Sequence, residues 1–386
     1  MDGDEELLDS GPRLPRPVRV TAGLLAGAAI VALVVLHAWP HARHGATTVP
    51  SAPTLLPAPT VPRGPTWPEA SGVCGRTQIP FVSSTRPAER TGIRVVVGGD
   101  RLRTVDFDTG RWRDMQSLRL GHDEFISAIE PGAVAAAQCL SGDAQVLRLA
   151  SGGSTVVARG GVALLGQRRA VIDTTVVPLG RGRPVPMPTD FLPEAVAGNL
   201  VAGQGPPGLV LVDAATGRIR TRVGEGATMA ADDRMLVWTG TCDNPSNPCP
   251  VHRRMLATQA TTNYLTPRSP RALNGAISHD GTRIAFTLRR AQQDPRFAAE
   301  HPAPPADVAI LHFETGEVDV VPGVELPPLG YGASLAFSPH DRWLVIALNA
   351  GSTTRLLAWR PGLARPYECP PIPAKALYAP PLEVLG

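Results

Sequence analysis

With 386 residues, 43% of them hydrophobic and 18% charged, the chain has enough apolar material for a large core, which excludes wholesale disorder. A formal charge of +3 is too weak to imply a nucleic-acid partner, and none is expected. The 39 glycines and 41 prolines favour many short strands joined by tight turns.

Residues 1–19 carry five acids and three arginines, Arg13, Arg16 and Arg19, the last directly before an apolar run. That run, Val20 to Trp39, reads VTAGLLAGAAIVALVVLHAW and has no formal charge. At about 1.5 Å per residue it is about 30 Å long as a helix, the thickness of a bilayer's hydrocarbon core. Only Arg43 follows it closely, so the positive-inside rule places residues 1–19 in the cytoplasm and everything after residue 40 outside. A cleaved signal peptide shares the positive flank and the apolar run. Here the leading segment is acid-rich, the run is long and no clean A-x-A site follows, so an uncleaved single-pass anchor is expected. Residues 40–68 hold eight prolines and read as an extended spacer, because proline fixes φ and withholds a hydrogen-bond donor.

From Ile93 onward short β-rich runs alternate with Gly, Asp, Asn and Pro, and residues 69–386 read as one all-β domain. The strand LRTVDF ends in Asp108-Thr109-Gly110, LVLVDA in Ala215-Thr216-Gly217, and VAILHF in Glu314-Thr315-Gly316. A second element also recurs as a polar turn opening a hydrophobic strand. Ser278-His279-Asp280-Gly281-Thr282-Arg283 precedes Ile284-Ala285-Phe286, Ser338-Pro339-His340-Asp341-Arg342 precedes Trp343-Leu344-Val345, and Ala231-Asp232-Asp233-Arg234 precedes Met235-Leu236-Val237. Two features recurring together point to an internal repeat.

These motifs resemble the blade signature of TolB-like and WD40-like β-propellers, best at residues 276–322 and 334–360 and less well at 195–238. The Gly-His and Trp-Asp dipeptides of WD40 repeats are missing, so the resemblance leans to the TolB-like branch. Strand clusters at 93–117, 128–161, 164–190, 195–226, 229–267, 276–322 and 334–369 make about seven blades, with six or eight still open. Residues 69–92 or 370–386 are the two candidates for the strand that closes the ring.

Outside the membrane disulfides are permitted, and Cys242 and Cys249 bracket a short loop that a bond would clamp. Cys74 and Cys369 stand at opposite ends of the repeats, where a bond would staple the ring; Cys139 is then left over, or is itself the partner of Cys74. There is no C-x-x-C and no paired histidine at ligand spacing, so no metal ligands, cofactor-binding residues or cofactor are expected.

No nucleophile elbow, P-loop or zinc-protease motif occurs in a fitting context, and no catalytic residue is assigned. Gly330 to Ser334 (GYGAS) lacks the trailing glycine of an elbow and reads as a loop between blades. His279, Asp280, His340 and Asp341, in the turns before strands, are candidate contacts at a funnel mouth. Asp106, Asp213 and Asp307 are open to two readings, carboxylates toward a channel or acceptors for local backbone donors. Arg289 and Arg290 open the long insertion RRAQQDPRFAAEHPAPP at 289–305, a candidate partner-binding loop. The resemblance to TolB-like proteins implies a binding or scaffold module of the cell envelope whose partner is a protein or glycan. The alternative is a propeller hydrolase or lyase with its active site in the central funnel.

Overall fold

The computed structural model describes residues 69–385 apart from 73–74, 117, 119, 121–122, 139–140, 151–152, 207, 243–246, 271–274, 291–304, 328–332 and 377–378. The expected tail, anchor and spacer at 1–68 lie outside the described residues, as do Cys74, Cys139, most of the 289–305 insertion and Gly330 to Gly332. Among the described residues no helix is long and apolar enough to cross a membrane.

Seven antiparallel sheets, each with at least four strands, are the blades of a β-propeller. Blade 1 holds Arg94–Val97, Leu102–Asp106 and Trp112–Gln116, and blade 2 holds Glu124–Glu130, Ala133–Gln138, Ala144–Ala150 and Gly153–Gly160. Blade 3 is the short one: Ala163–Gly166, Arg169–Ile172, Thr175–Pro178 and Val185–Pro186. Blade 4 is Leu192–Ala197, Leu200–Gly205, Gly208–Asp213 and Ile219–Gly224; blade 5 is Ala227–Ala231, Met235–Thr239, Cys249–Met255 and Thr261–Thr266. Blade 6 is Ala276–Ile277, Arg283–Arg289, Ala306–His312 and Val318–Leu326, and blade 7 is Ala333–Phe337, Leu344–Asn349, Thr354–Trp359 and Tyr367–Glu368.

The ring is closed by the second of the two candidate segments. Leu382–Leu385, at the end of the chain, pairs antiparallel with Arg94–Val97 as the first strand of blade 1, with Leu382 opposite Val97 and Leu385 opposite Arg94. The first strands of successive blades touch each other all the way round, from Glu124–Glu130 back to Leu382–Leu385. Phe81–Val82, before the first blade, instead covers the outer edge of blade 6 beside Val318–Leu326. A paired edge is unavailable for aggregation.

Burial follows position within the blade. Second strands such as Leu344–Asn349 and Met235–Thr239 are buried at every residue, because neighbouring blades cover both of their faces. The outer strand Ile219–Gly224 alternates exposed and half-buried residues. The core is correspondingly divided into seven clusters, each contributed by two adjacent blades. Between blades 7 and 1, for example, Trp343, Val345 and Leu356 meet Val95, Val105 and Phe107. Each such side chain contributes about 1.5–3 kcal/mol on burial.

The recurring turns fold alike. In blade 1 the Asp106 N–H donates to Arg111 O and the Gly110 N–H to Asp106 O, and blades 4 and 6 repeat this at Asp213/Gly217 and His312/Gly316. Blade 5 carries a fourth copy hidden in the sequence, Met255 to Ala260, in which Gln259 at φ 62° takes the glycine's place. The Asp341 backbone does the same at φ 53° in blade 7, where blade 6 has Gly281 at φ 72°.

The expected bond between Cys242 and Cys249 is present, with the two Cα atoms 5.4 Å apart, and it clamps the loop between the second and third strands of blade 5. The staple expected between Cys74 and Cys369 is not made. Cys369 is a free thiol buried between blades 7 and 1, and its burial there, with Asp106 and Glu368 adding repulsion, pushes it up to about 12. The ring is closed by the pairing of Leu382–Leu385 with Arg94–Val97 and not by a bond at Cys369.

Candidate functional site

Strand order fixes what shares a face. The turns joining strands 1 to 2 in blades 2 to 7, and strands 3 to 4 in every blade, emerge at one end of the ring; the strand 2–3 loops and inter-blade connections emerge at the other. Cys242 and Cys249, and Arg290 and Pro305 at the ends of the insertion, flank strand 2–3 connections of blades 5 and 6, so these residues share one face. Every repeated polar turn lies on the opposite face.

On that polar-turn face the blades are tied together by hydrogen bonds. Arg234 of blade 5 donates from Nη1 to His279 O at 2.5 Å and from Nη2 to Ser278 O at 3.2 Å. Asp341 of blade 7 accepts the backbone N–H groups of His279 at 2.8 Å and Asp280 at 2.7 Å, while Arg283 Nη2 donates to Asp341 O at 2.7 Å. The Asp341 carboxylate also meets His279 Nδ1 at 3.1 Å. In blade 3 Arg169 Nη2 donates to Asn199 Oδ1 of blade 4 at 2.9 Å.

The candidate contacts of the sequence divide accordingly. His279, Asp280 and Asp341 are brought together, with Asp341 buried and its carboxylate committed to a turn of the adjacent blade. Asp280 faces its own turn, accepting from Ser278 Oγ at 2.6 Å and Thr282 N at 2.9 Å. Its carboxyl lies below the usual range: burial pushes it up, but the Ser278 and Thr282 hydrogen bonds and nearby Arg283 outweigh that. His340 is exposed and does not join the cluster. Arg290, on the other face, pairs with buried Asp307 and with Glu325 at 2.7 Å, and the Arg289 N–H donates to Ser269 O at 3.1 Å. Both arginines are therefore tied at the foot of the insertion.

The channel reading of the three aspartates fails. Asp106, Asp213 and Asp307 all belong to third strands, set outward from the ring of first strands. Asp106 accepts from Thr109 N and Oγ1 at 2.9 and 2.7 Å, and Asp213 closes the same turn on Thr216. Asp307 is neutralised by Arg268 and Arg290. Among the described residues no group of three or more His, Cys, Asp or Glu side chains is placed to hold a metal ion.

Two adjoining concavities occupy the polar-turn face, and sequence reasoning missed both. The first, about 390 Å³, sits where the strand 1–2 turns of blades 2 to 5 converge, with Glu130, Arg169, Asn199, Asp232 and Asp233 in its wall. Glu130 is held above the usual carboxylate range by burial and by repulsion from Glu383 of the closing strand; burial alone raises Glu383. The second is a groove of about 800 Å³ running outward over blades 2, 3 and 4 and walled by Arg148, Arg168, Arg169, Arg181 and Arg183. Gln167, Arg168 and Arg169 border both. The visible signals were the doublet at 168–169 and the R-G-R at 181–183, which no catalytic motif encloses.

No protein-family model matches this chain, and no curated protein matches it in sequence. Solved structures do. The chain is similar to TolB from Acinetobacter baumannii, at 16% identity over 76% of this chain and 68% of that one, with a TM-score of 0.44. A putative 6-phosphogluconolactonase from Bacteroides fragilis is 10% identical over 78% of this chain and all of its own, with a TM-score of 0.46. Apo AztD from Citrobacter koseri is 12% identical over 76% of this chain and 98% of its own, with a TM-score of 0.44. At these identities the likeness extends no further than the fold, and the seven blades of this β-propeller are read from its own strand order.

Proposed function

We propose that this chain is a binding module of the cell envelope, held in the cell membrane by residues 20–39 with its N-terminus in the cytoplasm and its propeller outside. Its partner is an envelope protein or glycan, or a small ligand, received on the polar-turn face. One observation carries the binding reading: the channel-mouth cavity and the groove adjoin, share Gln167, Arg168 and Arg169, and lie on a face whose turns are hydrogen-bonded across blades. A preformed concavity with a few orienting polar groups is what a binding site requires. The experiment is a photo-crosslinking residue at position 183 of the full-length protein in its own cells, with position 113 on blade 1 as the comparison. A defined species captured from 183 alone supports the reading. Equal capture from both positions, or none, overturns it.

The topology has its own test. Protease added to intact cells or spheroplasts digests the domain beyond residue 45 if the orientation is as proposed, whereas complete protection reverses it.

The rival is a propeller hydrolase or lyase, favoured by the contact of His279 Nδ1 with Asp341 at 3.1 Å. A carboxylate at Nδ1 orients an imidazole for general-base work, and the His279 side chain is 54% exposed. A hydrolytic or eliminating activity abolished by His279→Gln without loss of fold would establish it.

A further inference from the structure

We propose that the groove over blades 2, 3 and 4 binds a small multivalent oxyanion, a ligand carrying several phosphate or carboxylate groups; this rests on the binding reading of the same face. Five arginines, Arg148, Arg168, Arg169, Arg181 and Arg183, line one groove, and no acidic residue lines it. Among the described residues none of the five belongs to an ion pair. All but Arg169 are exposed. Like charges gathered in a concavity repel one another and create a positive potential that concentrates anions.

The side chains are also positioned. Arg148 Nη1 donates to Leu179 O at 3.1 Å and Arg169 Nη2 to Asn199 Oδ1 at 2.9 Å. Both acceptors are neutral, so they hold the guanidinium in place without cancelling its charge, and each fork keeps further N–H donors. Arg181 and Arg183 stand on the loop between the third and fourth strands of blade 3, on either side of Gly182 at φ 156°. A Cβ there would lie 2.9 Å from Pro178 Cγ, so the loop needs glycine to lie against the blade with both arginines at the rim.

Acids border the groove at the channel mouth, beyond Arg168 and Arg169, and at Asp213, next to groove-lining Ala214, whose carboxylate accepts the Ala215 and Thr216 N–H groups of its own turn. Asp232 is paired with Arg234 at 2.5 Å and Asp233 faces the same arginine at 3.9 Å. Glu130 is held toward its neutral form by burial and by Glu383. The groove's positive charge is thus left for a ligand. A planar fork of donors matches carboxylate and phosphate oxygens two at a time, which selects oxyanions over other anions. A volume of about 800 Å³ suits a small molecule.

The test is calorimetric titration of the full-length protein in non-ionic detergent at about 0.1 M salt, where the screening length is about 10 Å. Tripolyphosphate probes the phosphate form of the ligand and citrate the carboxylate form. Saturable binding of either is expected, weakened about tenfold or more in Arg181→Gln with Arg183→Gln. The pair Arg111→Gln with Arg113→Gln, on blade 1, makes the same change in net charge and should leave the affinity unchanged. Equal weakening by both pairs, no saturable binding of either anion, or binding confined to long polymers such as heparin or single-stranded DNA would each overturn the proposal. A partner crosslinked from position 183 together with no anion binding would remove this inference and leave the binding module standing.

Discussion

Asp341 offers the sharpest perturbation, because two separable properties meet in it. Its carboxylate accepts two backbone N–H groups of blade 6, at 2.8 and 2.7 Å, and its own backbone sits at φ 53°, where a residue with a Cβ is strained. A hydrogen bond to a charged acceptor contributes about 1.5–3 kcal/mol, and the partial exposure of this turn lets water recover part of that, so the pair together is worth about 2–3 kcal/mol. Asp341→Gly removes the carboxylate and relieves the backbone, and should cost about 2 kcal/mol. Asp341→Ala removes the carboxylate and keeps the strain, adding about 1 kcal/mol more, because Asp tolerates the left-handed region better than Ala. Asp341→Asn retains both the backbone tolerance and one acceptor oxygen and should cost least. Equilibrium urea unfolding of the three variants ranks them Asn, Gly, Ala in order of increasing loss. A Gly variant as stable as the parent would show that the inter-blade latch contributes nothing, and an Ala variant equal to Gly would remove the strain argument.

Replacing Cys242 and Cys249 by serine should destabilise the protein by about 2 kcal/mol, the entropy of a loop this short, as read from thermal melting; finding both thiols free by non-reducing peptide mapping would refute the bond. Removing residues 382–386 opens the ring, takes away the half-buried Leu382, Val384 and Leu385 with about 3 kcal/mol of apolar contact, and bares the edge of Arg94–Val97, so limited proteolysis should cut blade 1 first. Uniform resistance would mean that the ring closes without this strand. Glu383→Gln should stabilise the protein at neutral pH. Its folded carboxyl titrates above the ordinary 4.5, so the charged form burdens the folded state and the burden fades as pH falls through that raised value. Below the ordinary value, where parent and variant are both neutral, their unfolding midpoints should coincide.

Much of the fold was legible because repetition makes each blade corroborate the others. The Thr-Gly hairpins and the polar turns opening hydrophobic strands marked where third strands end and second strands begin, and seven strand clusters became seven blades. The copy at Met255 to Ala260 escaped notice because glutamine stands where a glycine advertises positive φ. The closing strand was legible only as one of two alternatives: Leu382–Leu385 is four residues long, and its partner Arg94–Val97 is nearly three hundred residues away, a pairing no local pattern encodes. Cys369 was misread for the same reason. A cysteine between two apolar surfaces reads like one beside a partner until the blades are assembled around it.

The candidate site was less legible because it lies where the repeat breaks down. Blade 3 is short, its outer strand is only Val185–Pro186, and the turn that closes it is a glycine and arginine loop in place of D-T-G. A turn conserving the hairpin's own hydrogen bonds, like that at Asp106 or Asp213, spends its polar groups on the backbone and has little left for a ligand. The loop at 179–184 instead puts two unpaired guanidinium groups at the surface beside three more. Charge averaged over 386 residues hid this, since +3 is compatible with five cations in one groove as long as acids balance them elsewhere. In a closed ring whose blades secure one another, the blade that departs from the pattern is the one free to carry specificity, which is why positions 181 and 183 are the place to test it.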